Sequence, residues 1–240
     1  MDPKAMKPYG LALLDYYNGD SEASFIICRD DGYMDSFPVS TFFRPPTDIN
    51  IEQIALDNCR GRVLDVGAGT GLHSLYLHNI GLSVCAIDIL PEACEIMRKR
   101  GLNEVYCVDI SDFKSEPFDT LLILGRSIGM VEDIAGLDYF LEDIHRLVKP
   151  DGQVLLNSLD VRCTDNPVHL AYYESNRPMG RYIGEIRMHF EYQGLKGPVH
   201  GWLQVDAGTL NDHSSKTGWS CEILVQEADG NYLAKLTREL

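Results

Sequence analysis

Five unbroken apolar runs alternate with amphipathic segments through the middle of the chain. Strands that are covered by helices on both faces read as continuous apolar runs, whereas strands with one wet face alternate. The order of the segments therefore predicts repeated β–α units around a parallel sheet. The predicted strands are RVLDVG (62–67), SVCAIDI (83–89), EVYCVDI (104–110), DTLLILG (119–125) and QVLLNSL (153–159).

Spacing and end signals predict helices between these runs. Pro91 suits a first helical turn, and Gly101 suits the position just after a last turn. Apolar positions at helical spacing predict another helix within 136–152, in which Pro150 forces a turn into the next strand. A further helix is expected over 51–61, ahead of the first strand.

Proline and glycine break the chain into short pieces after residue 160. Residues 182–193 and 199–206 alternate well enough to form a hairpin, and a short helix is expected over 208–218. Residues 219–240 read as two strands joined by a turn. The predicted parts are an N-terminal segment (1–50), an α/β core (51–160), a hairpin-like insertion serving as a substrate or dimer element (161–208), and a closing helix with antiparallel strands (209–240).

Composition narrows the class of protein. The chain of 240 residues has 36 acidic and 21 basic side chains, a net charge of -15 that would repel a nucleic-acid backbone. We find no leader-like start and no apolar stretch near the roughly 18 residues that span a bilayer, so a cytoplasmic protein without a membrane partner is expected. The seven cysteines lack zinc-ligand spacing, which predicts small core residues and no metal.

The stretch VLDVGAGTG (63–71) leads from the first predicted strand through three glycines into a helix. Such a turn suits an anion or nucleotide, because glycine allows close backbone approach and a helix N-terminus offers unpaired N–H groups. The dinucleotide fingerprint needs a small residue where this chain has Leu72, and the third glycine stands at Gly71 instead. The pattern therefore disfavours a nicotinamide-dependent oxidoreductase.

Three acids at predicted strand ends accompany this turn. Asp65 precedes the first glycine, Asp88 closes the second strand, and Asp109 closes the third. The carboxyl ends of parallel strands lie along one edge of a sheet, where ligands bind at the switch point of the strand order. The sequence thus predicts a ligand site with carboxylate acceptors at this edge.

The chain resembles the class I S-adenosylmethionine-dependent methyltransferases in five ordered motifs. These are VLDVGAGTG, AIDI (86–89), VDI (108–110), FDTLLILG (118–125) and LVKPDGQVLLNS (147–158). The resemblance covers residues 50–160 and the last strand pair. It implies an α/β fold with a Rossmann-like, seven-stranded, mostly parallel sheet, helices on both faces and a C-terminal antiparallel strand pair. It also implies the cofactor S-adenosylmethionine, with S-adenosylhomocysteine as product.

The resemblance implies roles for individual residues. The turn 67–71 would pack against the methionine part of the cofactor, with Asp65 near its ammonium group and Asp88 accepting both ribose hydroxyls. Asp109 would accept from the adenine amino group, while the backbone N–H of Ile110 meets a ring nitrogen. The implied cofactor-binding residues are Arg44, Asp65, Gly67, Ala68, Gly69, Asp88, Ile89, Asp109, Ile110, Leu124 and Gly125.

The N-terminal segment is expected to fold over the cofactor, as the segment before the first strand commonly does in this family. Arg44 would hold the cofactor carboxylate, since a guanidinium fork pairs bidentately with that group. A solvated loop arginine is the alternative.

The segment after the fourth strand, LGRSIG (124–129), is similar to the LGNS region of small-molecule N-methyltransferases such as those acting on glycine. Leu124 and Gly125 would border the sulfonium. A cation at Arg126 would suit an acidic or carboxylate-bearing acceptor, although an ion pair with a nearby acid explains it equally well. The candidates for catalysis are Arg126, Tyr16 and Tyr17, and no histidine within a motif offers a general base.

The resulting hypothesis is an enzyme that transfers a methyl group directly to a small-molecule acceptor by in-line displacement. The single compact domain and the acidic charge favour it. A protein methyltransferase and a non-catalytic S-adenosylmethionine-binding protein are the alternatives. The sequence is compatible with an oligomer.

Overall fold

The computed structural model describes residues 1–239 and contains two β-sheets. The helices are α1 (Pro3–Tyr17), α2 (Asn50–Asp57), α3 (Leu72–Asn79), α4 (Pro91–Lys99), α5 (Ile134–Asp143), α6 (Pro167–Asn176) and α7 (Ala207–Lys216). The strands are β1 (Ser24–Arg29), β2 (Met34–Pro38), β3 (Arg62–Val66), β4 (Ser83–Asp88), β5 (Val105–Cys107), β6 (Phe118–Ile123), β7 (Val148–Leu159), β8 (Glu185–Tyr192), β9 (Leu195–Lys196), β10 (His200–Leu203), β11 (Trp219–Gln226) and β12 (Asn231–Arg238).

The larger sheet has seven strands in the order β11–β12–β7–β6–β3–β4–β5. The five strands from β7 to β5 pair in parallel, while β12 pairs antiparallel with both β7 and β11. The predicted seven-stranded, mostly parallel sheet with a terminal antiparallel pair is therefore confirmed. Leu240, the end of the predicted last strand, lies outside the described residues.

Helices cover both faces of this sheet because successive strand residues point to opposite sides. In β3, Val63 packs in a cluster with α2 and α3, whereas Leu64 packs in a second cluster with α5 and α7. Both side chains are fully buried. This two-sided burial explains why the strands read as continuous apolar runs.

Two predicted boundaries differ from the structure. Strand β5 is much shorter than the run 104–110, and β7 begins at Val148, so Pro150 lies within a strand rather than in a turn. The register between β6 and β7 shifts beside it, and β7 begins pairing with β12 only at Val154. Pro150 is tolerated because β12 makes no ladder hydrogen bond with that part of the strand.

A second, antiparallel sheet has the order β10–β8–β1–β2, with β9 added to β8. We call it the small sheet. The predicted hairpin of β8 and β10 is present, but the other edge of β8 pairs with β1, placing Ile27 opposite Phe190. The N-terminal segment and the insertion thus form one sheet, which the sequence analysis did not foresee.

Helix α6 was also missed. It begins with Asn166, whose side chain accepts from the backbone N–H of Val168, followed by Pro167 in the first turn. This pair is a helix-start signal. The prolines and glycines elsewhere in 161–208 predicted short pieces and a hairpin instead of a helix. Among the described residues, no helix is both long and apolar enough to cross a bilayer.

Candidate functional site

A cavity of about 1280 Å³ lies at the carboxyl edge of the seven-stranded sheet. The strand order reverses beside β3, since β4 follows on one side and β6 on the other. Such a switch point opens a crevice for ligands. We call the part lined by residues 66–70, 87–90 and 108–111 the glycine-turn half, and the part lined by the small sheet and residues 124–133 the small-sheet half.

The glycines after β3 shape the first of these halves. Gly67 and Gly69 line the cavity with positive φ angles of 67° and 57°, which let the turn expose its backbone to a ligand. Gly71 has a different task. A Cβ there would lie 2.9 Å from the Cγ of Met97 and 3.0 Å from Leu102, so this glycine lets α3 start close against α4.

Asp88 is held rigidly at the end of β4 and is 8% exposed. Its Oδ2 accepts from the backbone N–H of Gly69 at 2.8 Å, and its Oδ1 accepts from that of Leu90 at 2.9 Å. Burial raises the pKa of this carboxyl to about 6. Each oxygen keeps a further acceptor position, so the carboxylate fits a ligand that offers two hydroxyls.

Asp109 also lies at the cavity, and Ile89 and Ile110 line it beside their acids. One oxygen of Asp109 accepts from the backbone and hydroxyl of Ser111 at 3.0 and 2.9 Å, and the other lies 3.5 Å from the terminal nitrogen of Met1. Burial alone would raise the pKa of Asp109, but these donors outweigh it and hold the pKa below its usual value. A glycine turn, a fixed Asp88 and a polar Asp109 form a set that fits a nucleoside with an amino-acid tail.

The structure places Asp65 behind the turn rather than in the cavity. The residue is 1% exposed, and its Oδ2 accepts from the hydroxyl of Ser74 in α3 at 2.6 Å. Burial raises the pKa of the Asp65 carboxyl. The Asp65 side chain therefore does not line the cavity, where a ligand's ammonium group would lie. It anchors α3 to the turn instead.

Helix α1 contributes a different tyrosine from those predicted. Tyr9 lines the cavity, and its hydroxyl lies 3.6 Å from the point that a Cβ on Gly69 would occupy. Tyr16 and Tyr17 do not line it, and both stack on Phe43 at the far end of the helix. Tyr16 follows Tyr9 by two helical turns, which moves it about 10 Å along the axis. The structure therefore gives the two predicted tyrosines a packing role.

Arg44 lines the cavity, but its guanidinium is paired with the side chain of Glu52. Its Nη1 and Nη2 donate to the two oxygens of buried Glu52 at 2.9 and 2.6 Å, and Nε2 of His73 lies 3.0 Å from the same carboxylate. Burial alone would raise the pKa of the Glu52 carboxyl. The contacts with His73 and Arg44 outweigh this effect, so the pKa lies below its usual value. Glu52 and His73 were not predicted, since no motif marks them. The role of Arg44 toward a cofactor stays a prediction.

Arg126 lies where expected, at the exit of β6 after Leu124 and Gly125, and all three line the cavity. Its backbone is left-handed, with φ 60°. The N–H of Arg126 donates to the side chain of Asn157 at 2.9 Å, and its Nε donates to that of Asn231 at 3.1 Å. The two asparagines come from β7 and β12, so no local pattern could have identified them.

The small sheet supplies the remaining wall. Alternate residues of β1 and β8 face the cavity, and all of these except Arg29 are apolar. Trp202 from β10 lies against Gly129. A Cβ on Gly129 would fall 2.2 Å from the indole, so only glycine permits this approach. The apolar residues of β1 and β8 in this wall are Phe25, Ile27, Ile186, Met188 and Phe190.

Comparisons with known proteins agree with this geometry. Residues 64–156 match the family model described as "Methyltransferase domain". The chain is 31% identical over 123 residues to a ubiquinone biosynthesis O-methyltransferase of Xanthomonas oryzae pv. oryzae, covering 48% of this chain and 50% of that protein. It is 28% identical over 151 residues to a demethylmenaquinone methyltransferase of Tropheryma whipplei, covering 60% and 61%. The chain spans about half the length of the first of these curated relatives.

One solved structure is similar along the whole chain. It is a SAM-dependent methyltransferase from Bacteroides fragilis in complex with S-adenosyl-L-homocysteine, with a TM-score of 0.87, 29% identity and coverage of 100% of this chain and 98% of that one. The narrower resemblance of residues 124–129 to glycine N-methyltransferases stays a prediction. The sheet order, the glycine turn and these similarities support assignment of the chain to the class I S-adenosylmethionine-dependent methyltransferases.

Proposed function

We propose that this protein transfers the methyl group of S-adenosylmethionine directly to a small-molecule acceptor. The observation that carries the proposal is the single cavity that runs from the glycine turn to the small sheet. At about 1280 Å³ it exceeds the roughly 300–1,000 Å³ typical of a site for one small ligand. It therefore has room for an acceptor beside the cofactor.

The cofactor, when bound, supplies a methyl group that is already activated on a sulfonium. The protein's contribution is alignment and exclusion of water, and alignment alone can lower a barrier by about 7–11 kcal/mol. Asp88 and Asp109 would hold the nucleoside at one end of the cavity. The segment 124–127, which follows β6 and lines the cavity, would border the reacting atoms. Tyr9 of α1 and Phe42, which follows β2, pack edge to face at 5.2 Å and also line the cavity.

The class of acceptor is supported by the apolar wall and by the relatives. One of those relatives is named a ubiquinone biosynthesis O-methyltransferase and the other a demethylmenaquinone methyltransferase, and both names refer to small molecules. The net charge of -15 disfavours nucleic acid. A protein side chain as acceptor and a non-catalytic binding protein remain the alternatives to be tested.

The test has two parts. Calorimetric titration should show binding of S-adenosylmethionine and S-adenosylhomocysteine but not of NAD, and tight NAD binding would contradict the assignment. Cell extract is then incubated with the protein and methyl-labelled S-adenosylmethionine and separated into metabolites and protein. We expect label in the metabolite fraction. Label in protein alone would favour the protein methyltransferase, and cofactor binding without any label would favour a non-catalytic role.

A further inference from the structure

Three arginines line the cavity, and they differ in what neutralises them. Arg29 donates twice to Asp31, at 2.8 and 2.7 Å, and Arg44 donates twice to Glu52. Within residues 1–239, Arg126 has no carboxylate within 4.0 Å. Its positive charge is therefore the one among the three that no ion pair neutralises, while Asp229 acts on it only at longer range.

Neutral amides hold Arg126 in place instead. The side-chain oxygens of Asn157 and Asn231 accept from its backbone N–H and from its Nε. Asp229 contacts Asn231 rather than Arg126: it accepts from the side-chain amide of Asn231 at 2.6 Å and from the backbone N–H of Asn231 at 3.0 Å. Amide oxygens orient a guanidinium without cancelling its charge, because they carry none.

Two nitrogens of the Arg126 guanidinium remain available to a ligand. Neither Nη1 nor Nη2 of Arg126 has a hydrogen-bond partner among the described residues, although the side chain lines the cavity. Burial lowers the pKa of Arg126, but a guanidinium stays protonated in proteins. Its backbone is left-handed, which is strained for a residue other than glycine, and such strain persists where surrounding contacts enforce it.

We propose that Arg126 binds a carboxylate of the methyl acceptor, whose apolar body lies against Phe25, Met188 and Phe190. Two adjacent N–H donors match the two oxygens of a carboxylate. The apolar wall of β1 and β8 fits the rest of such a molecule. This inference rests on the proposed function only in naming the ligand as the acceptor, and the binding site itself is independent of turnover.

The test measures binding rather than activity. Benzoate, phenylacetate and 3-phenylpropionate, each paired with its primary amide, are titrated calorimetrically with saturating S-adenosylhomocysteine and again without it. We expect at least one acid to bind at least about tenfold more tightly than its amide, the factor that 1.4 kcal/mol gives. The preference should fall below threefold in Arg126→Gln and persist in Arg177→Gln, an exposed arginine outside the cavity.

A second variant guards against misfolding of the first. The double variant Asn231→Asp/Asp229→Asn places a carboxylate beside the Arg126 guanidinium and keeps one amide and one carboxylate at the 2.6 Å contact between residues 229 and 231, so it should also remove the preference for acids while the protein stays folded. No preference in the wild type, or an unchanged one in both variants, would overturn the inference. Failure of the wild type to bind S-adenosylmethionine would count against the proposed function instead, and the titrations without S-adenosylhomocysteine would still decide about Arg126.

Discussion

The glycine-turn half of the cavity is made from consecutive strand ends of one sheet, whereas the small-sheet half joins strands that are distant in the chain. In the first half, the side-chain carboxylate of Asp88 accepts from the backbone N–H of Gly69, and the local fold brings the two together. In the second half, Arg126 depends on side chains from β7 and β12, and the wall depends on pairing of β1 with β8. Under the proposed function, the first half would bind the cofactor and the second the acceptor. Substitutions in one half should therefore spare ligand binding in the other.

The largest expected effect breaks the glycine-turn half alone. Asp88→Asn removes the charge that would accept two ribose hydroxyls, and hydrogen bonds to charged groups contribute about 1.5–3 kcal/mol each. We expect S-adenosylhomocysteine to bind about 100-fold more weakly by calorimetry, while Asp112→Asn, an exposed acid outside the cavity, leaves the affinity unchanged. A loss below threefold in Asp88→Asn would remove this residue from the cofactor site.

The next change acts on the small-sheet half. In Gly129→Ala, the new Cβ would overlap the Trp202 indole, and such overpacking costs about 1–3 kcal/mol. Chemical denaturation should show that loss of stability, and tryptophan fluorescence should report a moved indole. The affinity for S-adenosylhomocysteine should change by less than about threefold, or about 0.7 kcal/mol.

Gly208→Ala, where a Cβ in α7 would meet only the Asp206 side chain at 3.2 Å, serves as the control and should leave the indole signal unchanged. A large fall in cofactor affinity in Gly129→Ala would contradict the independence of the two halves.

The two halves also differ in how far the sequence predicts them. The turn at 67–71 and Asp88 could be predicted because strand, glycines and acid are close in sequence and share a known edge geometry. Asp65 lies behind the turn in contact with Ser74, which its position in the motif does not reveal, and its role toward the cofactor stays a prediction. The small sheet was missed because the pairing of Ile27 with Phe190 depends on tertiary contacts that no local pattern encodes.

The pH dependence sharpens the assignment of Asp88. Its pKa of about 6 in the free protein means that the carboxylate must lose a proton before it accepts the ribose hydroxyls. Affinity for S-adenosylhomocysteine should therefore fall roughly tenfold for each pH unit below 6 and level off above it. For stability the sign is opposite: a carboxyl whose pKa is raised on folding stabilises the protein most below its unfolded pKa of 3.8, and this contribution is lost as the pH rises through 6. Calorimetry from pH 5 to 8 checks the first trend, which Asp88→Asn should flatten. A flat profile in the wild type would contradict it.

The smallest effect concerns Arg44, which lies at the cavity but is committed to Glu52. If Arg44 chiefly supports Glu52, Arg44→Ala should lower the stability by about 2 kcal/mol, since buried Glu52 loses two donors but keeps His73 beside it. It should weaken S-adenosylhomocysteine binding by no more than about threefold. Addition of Glu52→Gln should recover stability, because the acid that has lost its partner then carries no charge. A tenfold loss of affinity without loss of stability would show instead that Arg44 leaves Glu52 to hold the cofactor carboxylate, and would extend the glycine-turn half to the loop before α2.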